Sequence, residues 1–474
     1  MRVARRAVLS ALIATASLVL SSAAVVGVAQ PAATLSEPSI SPDLVHIYPT
    51  TNHVGEAEAA PLTTAQCETQ FKIACYDAQQ LQQAYDLPTL FAHGDQGQGQ
   101  TIAIVDSFGS PTITNDLAVF DQTYGLPAPP KLSVIQPAGA VPPYDGSSDR
   151  TGWAGETTLD VEWAHTIAPK ANILLVETPT SETEGTAGFP EIVAAEKYVI
   201  DNHLASVISQ SFGATEESFP SPQALLGLRS AFEDAYANNV TVLAASGDSG
   251  AADVAADGST YFLNPVTSWP NSDPLVTSVG GTQLHLDANG GHTAPDSVWN
   301  DTYDVPTQQY IEGDKGPTPL ASGGGRSVIF ARPSYQDAES SVVGGRRGVP
   351  DITMSGACNG AVNVYQSFGG EAAGWYPTCG TSEATPLFAG IVALTTAYVG
   401  HPIGLINPAL YSMSESHAPG LVDVTQGDNT VSFTQGGGVQ TVHGADATLG
   451  YDLASGVGTV DAARFVPELA LLSD

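Results

Sequence analysis

Ser382 stands in Gly380-Thr381-Ser382-Glu383-Ala384-Thr385-Pro386, directly ahead of the apolar run Leu387-Phe-Ala-Gly-Ile-Val-Ala-Leu394. A glycine turn that delivers a hydroxyl to the first turn of a buried helix exposes that hydroxyl. It also aims the positive end of the helix dipole at charge developing nearby. An ordinary serine N-cap has the same placement, so a nucleophile needs a base. Glu156 and Asp160 lie four apart in Gly155-Glu-Thr-Thr-Leu-Asp160 and project from one face of a helix. Two carboxyls stacked this way share a proton and titrate as a pair. Glu156 is then the expected base for Ser382, with Asp160 orienting and charge-stabilising it. A solvated acidic helix face is the plainer use of this spacing, and Glu162 adds a further acid to the same segment. In Ser246-Gly247-Asp248-Ser249-Gly250, Asp248 follows a strand that ends at Ala245. Kept protonated by burial, it would donate a hydrogen bond to an oxyanion; the bland alternative is an Asx turn closing a loop.

The elements that must position these groups are legible as apolar runs. Thr101–Val105, Asn172–Glu177, Ala205–Ser209 and Val240–Ala245 read as short buried strands. Helical segments fall between and after them, over Gly155 to Thr166, Glu191 to His203, Pro222 to Asn238 and Ser382 to Tyr398. Strands alternating with helices predict one large α/β domain with a mostly parallel sheet covered on both faces. In such sheets, chemistry gathers in the crevice beyond the carboxyl ends of the strands. A triad in the order Asp106, His165, Ser382 deserves comparison, because Asp106 ends the first strand. His165, however, lies nine residues after Glu156, about 180° round the helix. If Glu156 faces the crevice, His165 faces away, and Asp106 supports the site rather than acting in it.

The chain has 474 residues, of which 15 are Lys or Arg and 49 are Asp or Glu, a formal net charge of −34. Most carboxylates therefore lack a cationic partner and repel one another at neutral pH. Acid removes that repulsion without breaking many ion pairs. The balance suits an acidic medium and excludes nucleic acid or anionic lipid as partners, since no basic stripe exists to neutralise phosphates. Met1–Ala29 reads as an export signal, with Arg2, Arg5 and Arg6 ahead of an Ala/Leu/Val run and a small-residue cleavage site. The expected destination is extracellular, and no second stretch is long and apolar enough to span a membrane. Residues 30–62 read as a linker or short pro-segment, and 63–474 as the folded domain. Four cysteines suit an oxidising compartment, with Cys67–Cys75 and Cys358–Cys379 the favoured pairs of three possible pairings.

Taken together, these segments resemble the sedolisin, or serine-carboxyl peptidase, family. The resemblance rests on Gly155-Glu156-x-x-x-Asp160 followed by Ala168-Pro169, on Ser209-Gln-Ser-Phe-Gly213, and on Ala245-Ser-Gly-Asp248-Ser-Gly250. It continues through Val279-Gly-Gly-Thr282, Ser322-Gly-Gly-Gly325, Val349-Pro-Asp351 and Gly380-Thr-Ser382-x-x-x-Pro386, all in family order from about Leu62 onward. It implies a subtilisin-like fold and cleavage of peptide bonds at acidic pH. By it Glu156 is the base, Asp160 its partner, Ser382 the nucleophile and Asp248 the oxyanion acid.

The resemblance also implies one structural calcium ion held by Asp423, the carbonyls of Val424, Thr448 and Gly450, and Asp452. Asp446 and Asp428 stand by as substitutes. An all-oxygen set of this kind suits calcium, although the spacing alone is unspecific and Thr448 replaces the family's usual glycine. The expected partners are peptide or protein substrates, and the expected state a monomer. The family's large pro-domain has no counterpart in the thirty-odd residues after the export signal, which sets a catalytically silent peptide-binding relative beside the enzyme as the alternative. An esterase is remote, because Gly-x-Ser-x-Gly is absent around Ser382.

Overall fold

The computed structural model describes residues 52–302 and 317–473. The export signal Met1–Ala29, and residues 30–51 of the expected linker, lie outside the described residues.

The apolar runs form the centre of an eight-stranded sheet. From one edge its order is Ser297–Val298, Thr277–Gln283, Thr241–Ala245, Val207–Gln210, Thr101–Ser107, Asn172–Thr178 and Leu132–Ile135, with Ile352–Ser355 also paired to Thr277–Gln283. Every pairing is parallel except that of Ser297–Val298. The central strands are buried on both faces, which is why they read as continuous apolar runs rather than alternating ones. After Thr101–Ser107 the chain lays Leu132–Ile135 at one edge, fills the gap with Asn172–Thr178, then crosses to set Val207–Gln210 against the other side of Thr101–Ser107. The crevice at that reversal is where an open α/β sheet exposes its strand ends to a ligand.

Two long helices pack together over this sheet. The Glu156-bearing helix spans Ser148–Ile167, and the Ser382-bearing helix spans Thr381–Val399. Their close approach depends on Gly390, where a Cβ would come within 2.5 Å of Ile167 Cβ. The first helix begins seven residues before the expected Gly155. Its polar first turn carries no apolar period, but Ser181 Oγ donates to Asp149 Oδ1 at 2.9 Å and Arg150 stacks over Phe108, so tertiary contacts extend it. The single helix expected over Pro222–Asn238 is two, Pro222–Leu226 and Ser230–Ala237. The break holds Gly227, and Arg229 just beyond it forks onto buried Asp273.

A second sheet is built of two short strands from the start of the described chain and two from its later half, in the order Asn52–His53, Gly374–Cys379, Ala361–Gln366 and Cys75–Tyr76. Both expected disulfides, Cys67–Cys75 and Cys358–Cys379, are formed at its margin. Asn52 to Leu62, in the stretch expected as linker or short pro-segment, runs along this sheet, with Val54 and Leu62 buried. No helix among the described residues is long and apolar enough to cross a membrane.

Candidate active site

The Glu156-bearing helix is buried on every side from Trp153 to Ile167, so its acids are enclosed rather than solvated. Glu156 and Asp160 share the face toward the Ser382-bearing helix. Burial pushes Glu156 well above the ordinary carboxyl range, with the charges of Asp106 and Asp248 adding to the effect; the neighbouring Ser382 hydroxyl pulls the other way. Burial likewise raises Asp160, reinforced by Asp106 and Glu156. Ser211 Oγ donates to Asp160 Oδ1 at 2.9 Å. Asp106, at the end of the central strand, is the third member: burial pushes it up to about 7, with Thr157 opposing and Glu177 adding to the rise. Three carboxyls so close cannot all ionise, and they share protons as one unit.

Ser382 occupies the second position of its helix, behind Gly380. Pro386 sits four residues on and has no N–H to give the Ser382 carbonyl. The Ser211 hydroxyl approaches that oxygen at 3.5 Å. Facing this turn, Asp248 Oδ1 accepts from Thr381 N at 2.8 Å and from Thr381 Oγ1 at 2.7 Å. Gly380 has φ 140°, and a Cβ there would lie 2.7 Å from Asp248 Oδ2, so only glycine admits the carboxyl. Burial of that carboxyl raises Asp248 to about 6 against the two Thr381 hydrogen bonds.

The residues singled out from sequence therefore converge, and His165 is excluded. Fully buried, its Nε2 lies 2.8 Å from the Pro127 carbonyl and 3.2 Å from Asp121 Oδ1, on the far face of the helix. Glu162 accepts from Tyr365 N at 3.1 Å and joins the helix to the second sheet. Sequence reasoning assigned no role to Thr157, Ser211 or Thr381. Ser211 was within reach of it, since it follows a strand end at the crevice. The Val349-Pro-Asp351 motif is structural: buried Asp351 accepts from Tyr411 Oη and Ser278 N, each at 2.8 Å, and pairs with Arg347.

Farther along the chain, Asp423 Oδ2 accepts from Gly450 N at 2.9 Å and Asp452 Oδ2 from Thr448 N at 2.7 Å. The Val424 carbonyl accepts from Ser455 Oγ at 3.3 Å. The two carboxylates thus meet at the 448–450 loop. Among the described residues no group of three or more His, Cys, Asp or Glu is placed to hold a metal ion. The oxygens here are two side chains plus backbone carbonyls, which in kind suits a hard cation. Asp428 Oδ1 is committed to Thr430 N at 2.8 Å.

A parallel sheet with a serine at a helix start and its partners at the strand-end crevice defines the subtilisin-like class. The sequence profile of the subtilase family matches residues 149–438. Kumamolisin from Bacillus sp. (strain MN-32) is 33% identical over 356 residues, covering 74% of this chain and 57% of the relative. Human tripeptidyl-peptidase 1 is 29% identical over 327 residues, covering 66% of this chain and 50% of the relative. A solved structure of Pseudomonas sedolisin, a serine-carboxyl proteinase complexed with pseudo-iodotyrostatin, superposes with a TM-score of 0.68 at 26% identity, over 85% of this chain and 100% of that one. The chain belongs to the subtilase family, in its sedolisin or serine-carboxyl branch. The match spans 57% and 50% of the length of these two curated relatives, respectively.

Proposed function

We propose that the protein is a serine-carboxyl peptidase, exported through the Met1–Ala29 leader, that cleaves peptide bonds in acid. The observation that carries this reading is the enclosed carboxyl cluster tied to the Ser382 turn by Ser211, whose hydroxyl reaches both Asp160 Oδ1 and the Ser382 carbonyl. In the reaction, one ionised carboxyl in the cluster lets Glu156 take the Ser382 proton as Oγ attacks the scissile carbonyl carbon. Asp160 shares that proton, held by Ser211. The carbonyl oxygen becomes an oxyanion facing Asp248, whose neutral carboxyl donates a hydrogen bond to it. Protonated Glu156 then passes its proton to the leaving amine, and water repeats the sequence to release the acyl group.

Two ionisations bound the activity. The acid limb follows the first proton lost from the cluster as a whole. Sharing of the remaining protons among Glu156, Asp160 and Asp106 brings that step below the value of any one of them alone. The alkaline limb follows the Asp248 proton, near 6. The purified protein should therefore cleave a denatured protein substrate in acid and lose activity as pH rises through about 6. Acid-quenched samples should carry an acyl adduct on the Ser382 peptide. Activity that grows steadily to pH 8, or substrate bound but never cut at any pH, would overturn the reading; the second result is the silent peptide binder.

A structural calcium ion is part of the same proposal, with Asp423, Asp452 and the carbonyls of Val424, Thr448 and Gly450 as its ligands. It would neutralise two carboxylates and pin the 448–450 loop, with no part in the chemistry. Chelator should lower the melting temperature by several degrees, and added calcium should restore it. An unchanged melting temperature removes the ion from the account.

A further inference from the structure

The described part of the chain opens on an arm that reaches the candidate oxyanion acid. Asn52–His53 adds an antiparallel strand to the edge of Gly374–Cys379, with Asn52 opposite Cys379 and His53 opposite Thr378. Val54 N donates to the Pro377 carbonyl at 2.8 Å, and Glu58 and Trp375 exchange backbone hydrogen bonds at 2.8 and 2.9 Å. His53 Nδ1 lies 3.0 Å from Thr378 Oγ1, its ring lies 4.5 Å from that of Tyr376, and its Nε2 is 3.5 Å from Glu371. The strand to which the arm is fastened runs directly into the Gly380–Ser382 turn. Its first residue, Asn52, donates from Nδ2 to Asp248 Oδ2 at 3.1 Å.

We propose that Asn52 is a positioning residue for the reaction: the arm sets its amide on the second oxygen of Asp248, so that the carboxyl proton is left pointing into the cleft. The inference rests on Asp248 acting as the oxyanion acid. Asp248 Oδ1 is occupied by two donors, Thr381 N and Thr381 Oγ1. A backbone N–H has no lone pair to receive a proton, so a neutral Asp248 carries its hydrogen on Oδ2. There Asn52 Nδ2 is again a donor. The O–H cannot point at it and turns to the remaining direction, past Gly380 toward Ser382. Without Asn52 the hydroxyl is free to rotate away from a developing oxyanion. The amide hydrogen bond also favours the ionised carboxyl, against burial and the negative charge of Asp253; Glu156 and Glu383 face the same carboxyl, whose charge raises their own proton affinity.

The test is kcat and KM across pH for the full chain carrying Asn52→Leu or Asn52→Gln, with Ser382→Ala as a control. Asn52→Leu should lower kcat about ten- to a hundredfold, below the loss of an entire oxyanion donor, with KM changed less than threefold. Its alkaline limb should move to higher pH, because a donor to the carboxylate is gone. Asn52→Gln, which keeps the amide, should recover part of kcat and bring the limb back. The proposal is overturned if Asn52→Leu leaves both kcat and the limb unchanged or raises activity, as removal of a blocking strap would. It is equally overturned if mass spectrometry of the acyl-labelled active species shows a chain that starts after Asn52. Should Ser382→Ala cleave as well as the parent, the peptidase reading itself has failed, independently of Asn52.

Discussion

Glu156→Gln is expected to remove peptidase activity as completely as Ser382→Ala, each by roughly 10⁴-fold or more in kcat, and the double variant should lose no more than either alone. The reason is the enclosure of the pair. Glutamine fills the same space beside Ser382 but takes up no proton, so the hydroxyl has no acceptor of sufficient basicity. Asp160 cannot substitute, because Ser211 already holds one of its oxygens and the proton must first leave Ser382. Nucleophile and base act in one step, which is why their losses do not multiply. The stability of Glu156→Gln should match the parent in acid and exceed it at neutral pH, where a buried carboxyl no longer has to stay protonated. A Glu156→Gln protein retaining a tenth of parental activity would show that Ser382 uses another base, and losses that multiply would show that the two residues act in separate steps.

The second large effect is on stability. Many carboxyls in this fold are buried and carry folded-state pKa values above those of an exposed chain. Glu217 and Asp106 are raised to about 7, Glu196 to about 8 and Glu184 to about 10. Burial also lifts Glu162, Glu182 and Glu383 well above the usual range. Each such group keeps its proton in the folded protein at pH values where the unfolded chain has released it. Its contribution is complete below about pH 4 and is lost as pH rises toward the folded value. Groups shifted the other way, such as Asp257 at about 2, are at the surface and act only below pH 4. The melting temperature should therefore be highest near pH 3–4 and fall continuously to pH 8. Glu196 isolates the effect: it is 1% exposed and neither carboxylate oxygen has a hydrogen-bond partner. Glu196→Gln should leave stability unchanged at pH 4 and raise it on the order of 3 kcal/mol at pH 7. Parallel melting curves for parent and variant across this range would show that burial does not hold Glu196 neutral.

The acidic composition thus has a structural meaning that composition alone does not contain. From the net charge one reads repulsion among unpaired surface carboxylates. The structure adds a second population, inside the protein, for which acid is the condition of being folded. Helix spacing sets Glu196 on the apolar stripe of Ile192, Val199 and Ile200, but only the packing of Phe189–Asp201 against the sheet encloses it fully while Glu191, in the first turn, stays half-buried.

The backbone scaffold was legible because it depends on short-range pattern. Continuous apolar runs forecast the buried parallel strands within a residue or two, and the Glu156/Asp160 spacing placed both acids on one face whatever the helix packed against. The nine-residue step to His165 removed the imidazole from the site by helix geometry alone. The misses share a cause. Leu132–Ile135 lacks a continuous apolar run, and Ala361–Gln366 and Gly374–Cys379 mix polar residues into theirs, so these strands exist through their partners rather than through their own periodicity.

By itself, then, the sequence determined the alternation of elements, the acids that share a helix face, and the glycine turn ahead of Ser382, since each follows from bond geometry within a few residues. Only the tertiary structure decided that those acids are enclosed rather than solvated, that Asp106 joins them, and that Asn52 reaches Asp248 across 196 positions. Proton affinities and long-range hydrogen bonds depend on what surrounds a group after the chain has closed, and neighbours in sequence carry no record of that.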